Sequence, residues 1–182
     1  MNFCSQCGAP VHVQIPAGDN LPRFVCTGCG VIHYRNPKII AGCLPYWEDR
    51  VLLCRRAIEP RSGLWTLPAG FMENGETVQQ AAARETREEA LAEIGSAALY
   101  AVYSVPHINQ VYMLFRAPLV RPDFGAGAES LEVALFDADR IPWQELAFPV
   151  MRQVLEHYNA DRRRRQFGVH VGEILRPMDA GD

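Results

Sequence analysis

The sequence of residues 70–92 is GFMENGETVQQAAARETREEALA, and this stretch decides the fold. Its pattern Thr77-x-x-Gln80 predicts a helix start. The threonine side chain can accept a hydrogen bond from the Gln80 amide, and the glutamine side chain can accept one from the Thr77 amide. The alanines and straight-chain residues that follow favour a helix as far as about Ala92. The segment therefore predicts a central helix with a defined start.

Three carboxylates share one face of this predicted helix. At 3.6 residues per turn, Glu85, Glu88 and Glu89 lie within an arc of about 100°. Carboxylates at this spacing repel one another, whereas a hard divalent cation such as Mg²⁺ or Mn²⁺ prefers oxygen ligands. Taken alone, the helix leaves two interpretations open: a metal site, or a solvated surface rich in Glu and Arg.

The loop and helix together resemble the Nudix box, G-x5-E-x7-R-E-U-x-E-E-x-G-U. Two positions depart from it. Thr86 replaces an aliphatic residue, and Leu91 replaces the glycine that normally ends the helix at positive φ, so a helix that continues to Gly95 stays open. The charged and glycine positions of the box that match are Gly70, Glu76, Arg84, Glu85, Glu88 and Glu89.

This resemblance implies a Nudix fold and metal-dependent hydrolysis of a nucleoside diphosphate that is linked to another group. Glu85 and Glu89 would be the main ligands of Mg²⁺ or Mn²⁺, with Glu88 assisting and the main-chain carbonyl of Ala69 as a further ligand. By the same resemblance, the residues expected to act in catalysis are Arg84, Glu88, Glu89 and Glu129, with Glu76 paired to Arg84 as a brace.

A carboxylate downstream of the helix is expected to complete the site. Similar Nudix enzymes carry a metal ligand or general base just before the strand that residues 131–137 predict. Glu129 matches that place better than Glu132, which falls inside the strand and can face solvent. The sequence favours Glu129 as this ligand or base and leaves Glu132 open.

The N-terminal segment carries two C-x-x-C pairs, Cys4/Cys7 and Cys26/Cys29. This spacing is typical of a four-thiolate zinc site, and four protein ligands leave no open position, so the predicted zinc is structural. Two disulfides are the alternative. The first ten residues lack the pattern of a secretory signal, which favours a cytoplasmic protein and metal-bound thiols.

The predicted domains are a zinc ribbon at residues 1–36 and a Nudix hydrolase domain at residues 37–182. Strands are predicted at 38–47, 50–56, 99–105, 110–119 and 131–137, and a closing helix at about 148–162. Strands on both sides of a central helix, followed by a closing helix, indicate an α+β fold built as an α/β/α sandwich.

The composition of the sequence disfavours two classes of binding partner, nucleic acids and membranes. Hydrophobic residues make up 48% of the 182 residues and charged residues 21%, which is typical of a globular protein with a buried core. The net charge of −3 disfavours a general nucleic-acid partner, and the lack of an apolar run of about 20 residues disfavours a membrane partner. The arginine run at 162–165 is interpreted as a solvated helix end.

The substrate class follows from resemblance. A zinc ribbon before a Nudix box, with the junction His33-Tyr34-Arg35-Asn36-Pro37, resembles the NADH pyrophosphatase branch, but the S-Q-P-W-P-F-P motif of that branch is absent at 104–110. The chain is more similar to zinc-ribbon Nudix proteins that hydrolyse FAD or ADP-ribose to release AMP. NADH or NAD pyrophosphatase activity and a non-catalytic nucleotide sensor are the alternatives.

The expected partner is therefore a small dinucleotide or nucleotide sugar, and a homodimer is expected by analogy with the family. The residues proposed to contact the substrate are Arg55, Phe71, Tyr103, His107 and Tyr112. Arg56, which follows Arg55 at the end of the same predicted strand, is the alternative for a phosphate contact.

Overall fold

The first of two compact units, Met1–Pro37, is a small antiparallel sheet. A computed structural model describes residues 1–175, and the second unit begins at Lys38. The sheet of the first unit has the order β1 (Val11–Gln14), β2 (Arg23–Cys26) and β3 (Ile32–His33). Its buried apolar side chains are few, and two of them are cysteines, Cys4 and Cys26. A segment with so small an apolar core needs another source of stability.

The second unit is built on one mixed sheet with the order β10-β5-β4-β9-β8-β11. Two long helices pack on it, which confirms the predicted α+β fold. The strands are β4 (Lys38–Trp47), β5 (Arg50–Arg56), β6 (Trp65–Thr66), β7 (Ala69–Phe71), β8 (Ala98–Val105), β9 (Gln110–Pro118), β10 (Ser130–Asp137) and β11 (His170–Glu173), and the helices are α1 (Val78–Ala90) and α2 (Pro149–Arg164).

The sheet opens between β4 and β5. These strands pair only beside their turn, at Tyr46–Val51 and Trp47–Arg50. Beyond that point β7 pairs with β4, and β6 pairs with β5. The short segment from β6 to β7 therefore fills the opening and carries Ala69 towards α1, which packs against β4 and β7.

The predicted start of α1 is confirmed. The Thr77 hydroxyl accepts a hydrogen bond from the Gln80 amide at 3.2 Å, and the Gln80 side chain accepts one from the Thr77 amide at 2.7 Å. The buried face of α1 includes Ala81, Ala82 and Thr86. These small side chains allow close packing on the sheet, while the carboxylates occupy the adjoining face.

The end of α1 corrects one expectation, because the helix stops at Ala90 and does not continue to Gly95. Leu91 adopts the left-handed conformation with φ 48°. A non-glycine residue there costs about 1–2 kcal/mol. The amides of Gly125 and Gly127 donate to the carbonyls of the last helical turn at 2.8 and 3.0 Å, which offsets that cost. A contact distant in sequence therefore sets the helix end.

Two hydrophobic clusters flank the sheet. Alternate residues of β5 belong to different clusters: Val51 and Leu53 to the one that includes α2, and Leu52 and Cys54 to the one that includes the end of α1. The predicted closing helix is α2, and its buried residues include Val150, Met151, Val154, Leu155 and Tyr158. Neither long helix in residues 1–175 has the length and apolar character that a membrane crossing requires.

Strand β11 was not predicted. It pairs in parallel with β8, where Gly172 lies against the ring of Tyr103. Its first residue, His170, approaches Asp161 on α2 at 2.7 Å, and the Tyr100 hydroxyl donates to the same carboxylate oxygen at 2.9 Å. The sequence HVGE has little apolar alternation, so the strand depends on these tertiary contacts.

Candidate functional site

The thiols of the first unit form one cluster. The Sγ atoms of Cys4 and Cys29 are 3.8 Å apart and those of Cys7 and Cys26 are 3.4 Å apart, and all four lie within 4.8 Å of one another. All four are free thiols. Four sulfurs placed tetrahedrally at about 2.3 Å from a zinc ion are about 3.8 Å apart, so the cluster is a possible zinc site.

Backbone amides support the sulfurs. Gln6 donates to Cys4 Sγ at 3.4 Å, and Gly28 and Cys29 donate to Cys26 Sγ at 3.3 and 3.4 Å. The amide of Cys29, together with that of Gly28, lowers the pKa of the Cys26 thiol to about 6. The thiolate is the form that binds a metal, so the local backbone favours ligation.

In the second unit, a cleft of about 760 Å³ opens beside α1. Residues from β4, β5, β6, β7, β9, α1 and the first turn of α2 line it, together with residues of the connecting loops. Small-molecule sites commonly have volumes of this order. The acidic residues that line the cleft are Glu59, Glu73, Glu85, Glu88, Glu89 and Glu129.

Two of these carboxylates are buried. Glu85 is 8% exposed and Glu89 is 7% exposed, whereas Glu88 is exposed. Burial raises the pKa of Glu89 to about 8, with the charges of Glu85 and Glu129 adding to the effect, and burial also raises the pKa of Glu85. A cluster of partly desolvated carboxylates is unfavourable unless a cation offsets it, and an all-oxygen donor set fits a hard divalent ion.

Within residues 1–175, no three acidic oxygens of this cleft lie as close together as the four sulfurs. Arg84 instead bridges several of the carboxylates. It forms two hydrogen bonds with Glu76, at 2.8 and 3.1 Å, the pairing that the sequence predicts. Its other contacts are with Glu85 at 2.7 Å, Glu88 at 3.0 Å and the Phe71 carbonyl at 3.2 Å.

Gly70 allows Glu85 to sit against the backbone of β7. A Cβ atom at position 70 would lie 2.4 Å from the Glu85 carboxylate. Heavy atoms cannot approach so closely, so any side chain there must move the carboxylate.

We expect Gly70→Ala to lower kcat/KM for a diphosphate substrate by roughly 10- to 100-fold, because it displaces the Glu85 carboxylate from its place against Gly70. Steady-state turnover and a thermal melt of the same protein measure the effect. Gly168→Ala is the matched control, since no atom within 4 Å meets a Cβ at that position. Equal turnover of the two variants would contradict the role of Gly70.

Glu129 and Glu132 lie in different surroundings. Glu129 lines the cleft, and its charge contributes to the raised pKa of both Glu85 and Glu89. Glu132 lies on β10, outside the cleft, and its carboxylate is 3.6 Å from Arg55 Nη1. The structure therefore brings Glu129, and not Glu132, to the helix carboxylates.

The loop that carries Glu129 packs closely against the last turn of α1 at Gly127. A Cβ atom at Gly127 would lie 1.7 Å from the Glu88 carbonyl oxygen. The Gly127 amide donates to the Glu89 carbonyl at 3.0 Å. The loop is thereby held against the last turn of α1.

The five proposed substrate contacts divide into two groups. Phe71 and Tyr112 line the cleft. Arg55, Tyr103 and His107 do not line it: Arg55 Nε donates to the Gly63 carbonyl at 2.8 Å, and Tyr103 is buried with its hydroxyl 2.8 Å from a ring nitrogen of His157.

The structure distinguishes the two adjacent arginines that the sequence offers for a phosphate contact. Arg56 lines the cleft, whereas its neighbour Arg55 does not. The alternation of β5 carries the signal for this, since Arg56 shares the parity of Leu52 and Cys54, which face the α1 side. Lining residues that were not among the predicted contacts include Ile58, Pro60, Ile108, Gln110 and Met151.

Two family models together span most of the chain. The model described as NUDIX domain matches residues 36–158, and the zinc-ribbon model described as Nudix N-terminal matches residues 2–35. Among solved structures, a NUDIX hydrolase from Nitrosomonas europaea is 57% identical with a TM-score of 0.94, and the match covers 97% of this chain and 100% of that chain.

Curated relatives carry two kinds of name. An NAD-capped RNA hydrolase NudC from Stutzerimonas stutzeri is 32% identical over 168 residues, 90% of this chain and 58% of the relative. An ADP-ribose pyrophosphatase from Methanocaldococcus jannaschii is 31% identical over 119 residues, 63% of this chain and 69% of the relative. The chain thus spans less than two thirds of the NudC relative's length.

Proposed function

Because the chain belongs to the Nudix family of hydrolases, we propose that it cleaves the diphosphate bond of an ADP-linked small molecule, ADP-ribose or FAD, and releases AMP. The observation that carries this proposal is the carboxylate face of α1, which opens into the cleft beside Glu129. Phe71, Tyr112 and Phe148 add aromatic walls on which a base or ring can pack.

The relatives support ADP-ribose and also a second candidate. The similarity to an ADP-ribose pyrophosphatase favours ADP-ribose as the substrate. The similarity to NudC proteins favours NAD(H), or an NAD-capped RNA end, as the second candidate. The proposal of FAD rests on the resemblance of the sequence to FAD-hydrolysing zinc-ribbon Nudix proteins.

We propose Mg²⁺ or Mn²⁺ for the cleft, with Glu85 and Glu89 as the main ligands and Glu88, Glu129 and the Ala69 carbonyl as further ones. Divalent ions in such a site polarise phosphate oxygens and acidify a bound water. We propose Zn²⁺ for the four thiols, where its role is structural.

Three residues of the chain are proposed to act beside the metal ion. Glu129 accepts a proton from the attacking water as general base, at the edge of the cleft. Arg84 keeps Glu85 and Glu88 in place through its hydrogen bonds, and Glu76 fixes Arg84 from the other side.

The test is a panel of ADP-ribose, FAD, NADH, NAD, an NAD-capped RNA and a nucleoside triphosphate, assayed with Mg²⁺ and with Mn²⁺. We expect AMP release from ADP-ribose or FAD with kcat/KM at least about ten-fold above that for NADH, a difference of about 1.4 kcal/mol. A preference for NADH or capped RNA would replace the first candidate by the second. No turnover of any diphosphate would favour the nucleotide sensor.

The cellular compartment and the oligomeric state of the protein are proposed as follows. We propose a cytoplasmic protein, because the six cysteines are free thiols, and a homodimer by analogy with the family. Sedimentation at micromolar concentration distinguishes a dimer from a monomer.

A further inference from the structure

The two arginines that line the cleft differ in what surrounds their guanidinium groups. Arg84 makes hydrogen bonds with three glutamates and one carbonyl. Arg56 makes one side-chain hydrogen bond, from Nε to the Pro60 carbonyl at 2.9 Å. Within residues 1–175, no carboxylate lies within 4.0 Å of Arg56, and neither of its terminal nitrogens has a hydrogen-bond partner. Arg56 is thus a cation with unused donors in an acidic cleft.

The position of Arg56 is fixed by the protein. Its amide donates to the Leu64 carbonyl at 2.9 Å, and its carbonyl accepts from the Gly63 amide at 2.8 Å, so the end of β5 is pinned. Its Cζ atom lies over the ring of Phe148, 5.1 Å from the ring centre. The hydrogen bond from Nε to Pro60 restricts the remaining rotation. Little side-chain entropy is therefore left to lose when an anion binds.

Arg56 also shares its cleft with the groups proposed to act on a diphosphate. Glu85 and Glu89, the carboxylates proposed to bind the metal ion, line the same cleft, and so do the aromatic residues Tyr112 and Phe148. A diphosphate carries negative charge into this acidic cleft, and a planar guanidinium can bind two of its oxygens at once.

We propose that Arg56 binds a phosphate of the substrate's diphosphate through its two free Nη groups and so sets the position of the bond that is cleaved. This inference rests on the proposed function for the identity of the ligand. It assigns the contact to Arg56, and it assigns to Phe148 the positioning of that guanidinium.

The adjacent arginine provides a matched control. Arg55 has the same side chain and the next position on β5, but its Nε is bound to Gly63 and its Nη1 lies 3.6 Å from Glu132 outside the cleft. Replacing Arg55 removes one positive charge at almost the same place in the sequence. A difference between the two variants therefore reports the contact and not the net charge.

The experiment measures equilibrium binding of α,β-methylene-ADP, which retains two phosphates and resists hydrolysis, in the presence of Mg²⁺. We expect Arg56→Gln to weaken binding by about 10- to 100-fold. Arg56→Lys should recover part of the loss, because it keeps the charge without the bidentate geometry. Arg55→Gln should stay within about two-fold of wild type, and adenosine, which has no phosphate, should bind all four proteins equally.

Wild-type affinity of Arg56→Gln for the analogue would overturn the proposal. If Arg56→Gln does not fold, the affinity of Arg56→Lys for the analogue is compared with that of Arg55→Gln instead, and equal affinities would overturn the proposal. Analogue binding that is lost in Arg56→Gln, in a protein that turns over no diphosphate, would support the Arg56 site while refuting the hydrolase proposal. No binding of the analogue by wild type would overturn the Arg56 site, and AMP release from the substrate panel decides the hydrolase proposal separately.

Discussion

Replacing Glu89 by Gln is expected to reduce metal-dependent turnover of ADP-ribose or FAD by roughly 10³-fold or more. Glutamine keeps the size and shape of the side chain but removes the negative charge that a divalent ion requires. Glu89 is 7% exposed and lies beside Glu85, so water cannot readily replace the lost ligand. The measurement is kcat/KM at saturating Mg²⁺ and at saturating Mn²⁺.

Glu132→Gln is the control for this prediction. Glu132 lies on β10 with its side chain 53% exposed, and it contacts Arg55 instead of the cleft. We expect its turnover to stay within about two-fold of wild type, because an exposed ion pair contributes little. A similar loss in both variants, or full activity of Glu89→Gln, would refute the assignment of Glu89 as a metal ligand.

The second large effect is expected in the first unit. Cys26→Ser should abolish zinc binding and unfold β1, β2 and β3, because this unit buries few apolar side chains and Cys26 is one of them. Binding of a structural zinc is worth on the order of 10–16 kcal/mol in small zinc-finger peptides, which exceeds the stability that so small a core supplies. Zinc content and hydrogen exchange of the full chain measure both parts.

Cys54→Ala serves as the control for the zinc prediction. Cys54 is a buried thiol on β5 and does not belong to the four-thiol cluster. The Cys54→Ala protein should retain one zinc per chain and the hydrogen-exchange protection of β1, β2 and β3. A Cys26→Ser protein with one bound zinc and a protected ribbon would contradict the four-thiolate site.

The sequence predicted best those features that local chemistry determines. The pair Thr77 and Gln80 forms the capping box, and the ranges 38–47 and 50–56 are the strands β4 and β5. The Nudix resemblance predicted that Glu76 pairs with Arg84, eight residues further along the chain. The capping box and the strands follow from the local pattern of residues, whereas the Glu76–Arg84 pair follows from the family resemblance.

Features set by distant contacts were predicted less well. Leu91 accepts an unfavourable φ because a loop more than thirty residues away binds the carbonyls that the helix end leaves free. Strand β11 forms because His170 and Gly172 meet Asp161 and Tyr103. Neither partner can be identified from the local pattern.

The choice between two neighbouring arginines of β5 also depends on distant contacts. Arg55 and Arg56 are identical in type and adjacent, yet only Arg56 lines the cleft. The choice depends on which face of β5 lies towards α1, and that depends on how β4 and β5 separate after their turn. Tyr103 was a reasonable candidate by residue type, but β11 and α2 bury it.

The most direct test of the central claim, that the carboxylates of α1 bind a divalent metal ion, is titration of Mn²⁺ monitored by electron paramagnetic resonance, which detects free Mn²⁺. Wild type and Glu89→Gln are compared without nucleotide, after the thiol site has been filled with zinc. We predict that wild type removes Mn²⁺ from the free pool and that Glu89→Gln does so at least about ten-fold more weakly. Equal binding by the two proteins, or no binding by wild type, would contradict the claim.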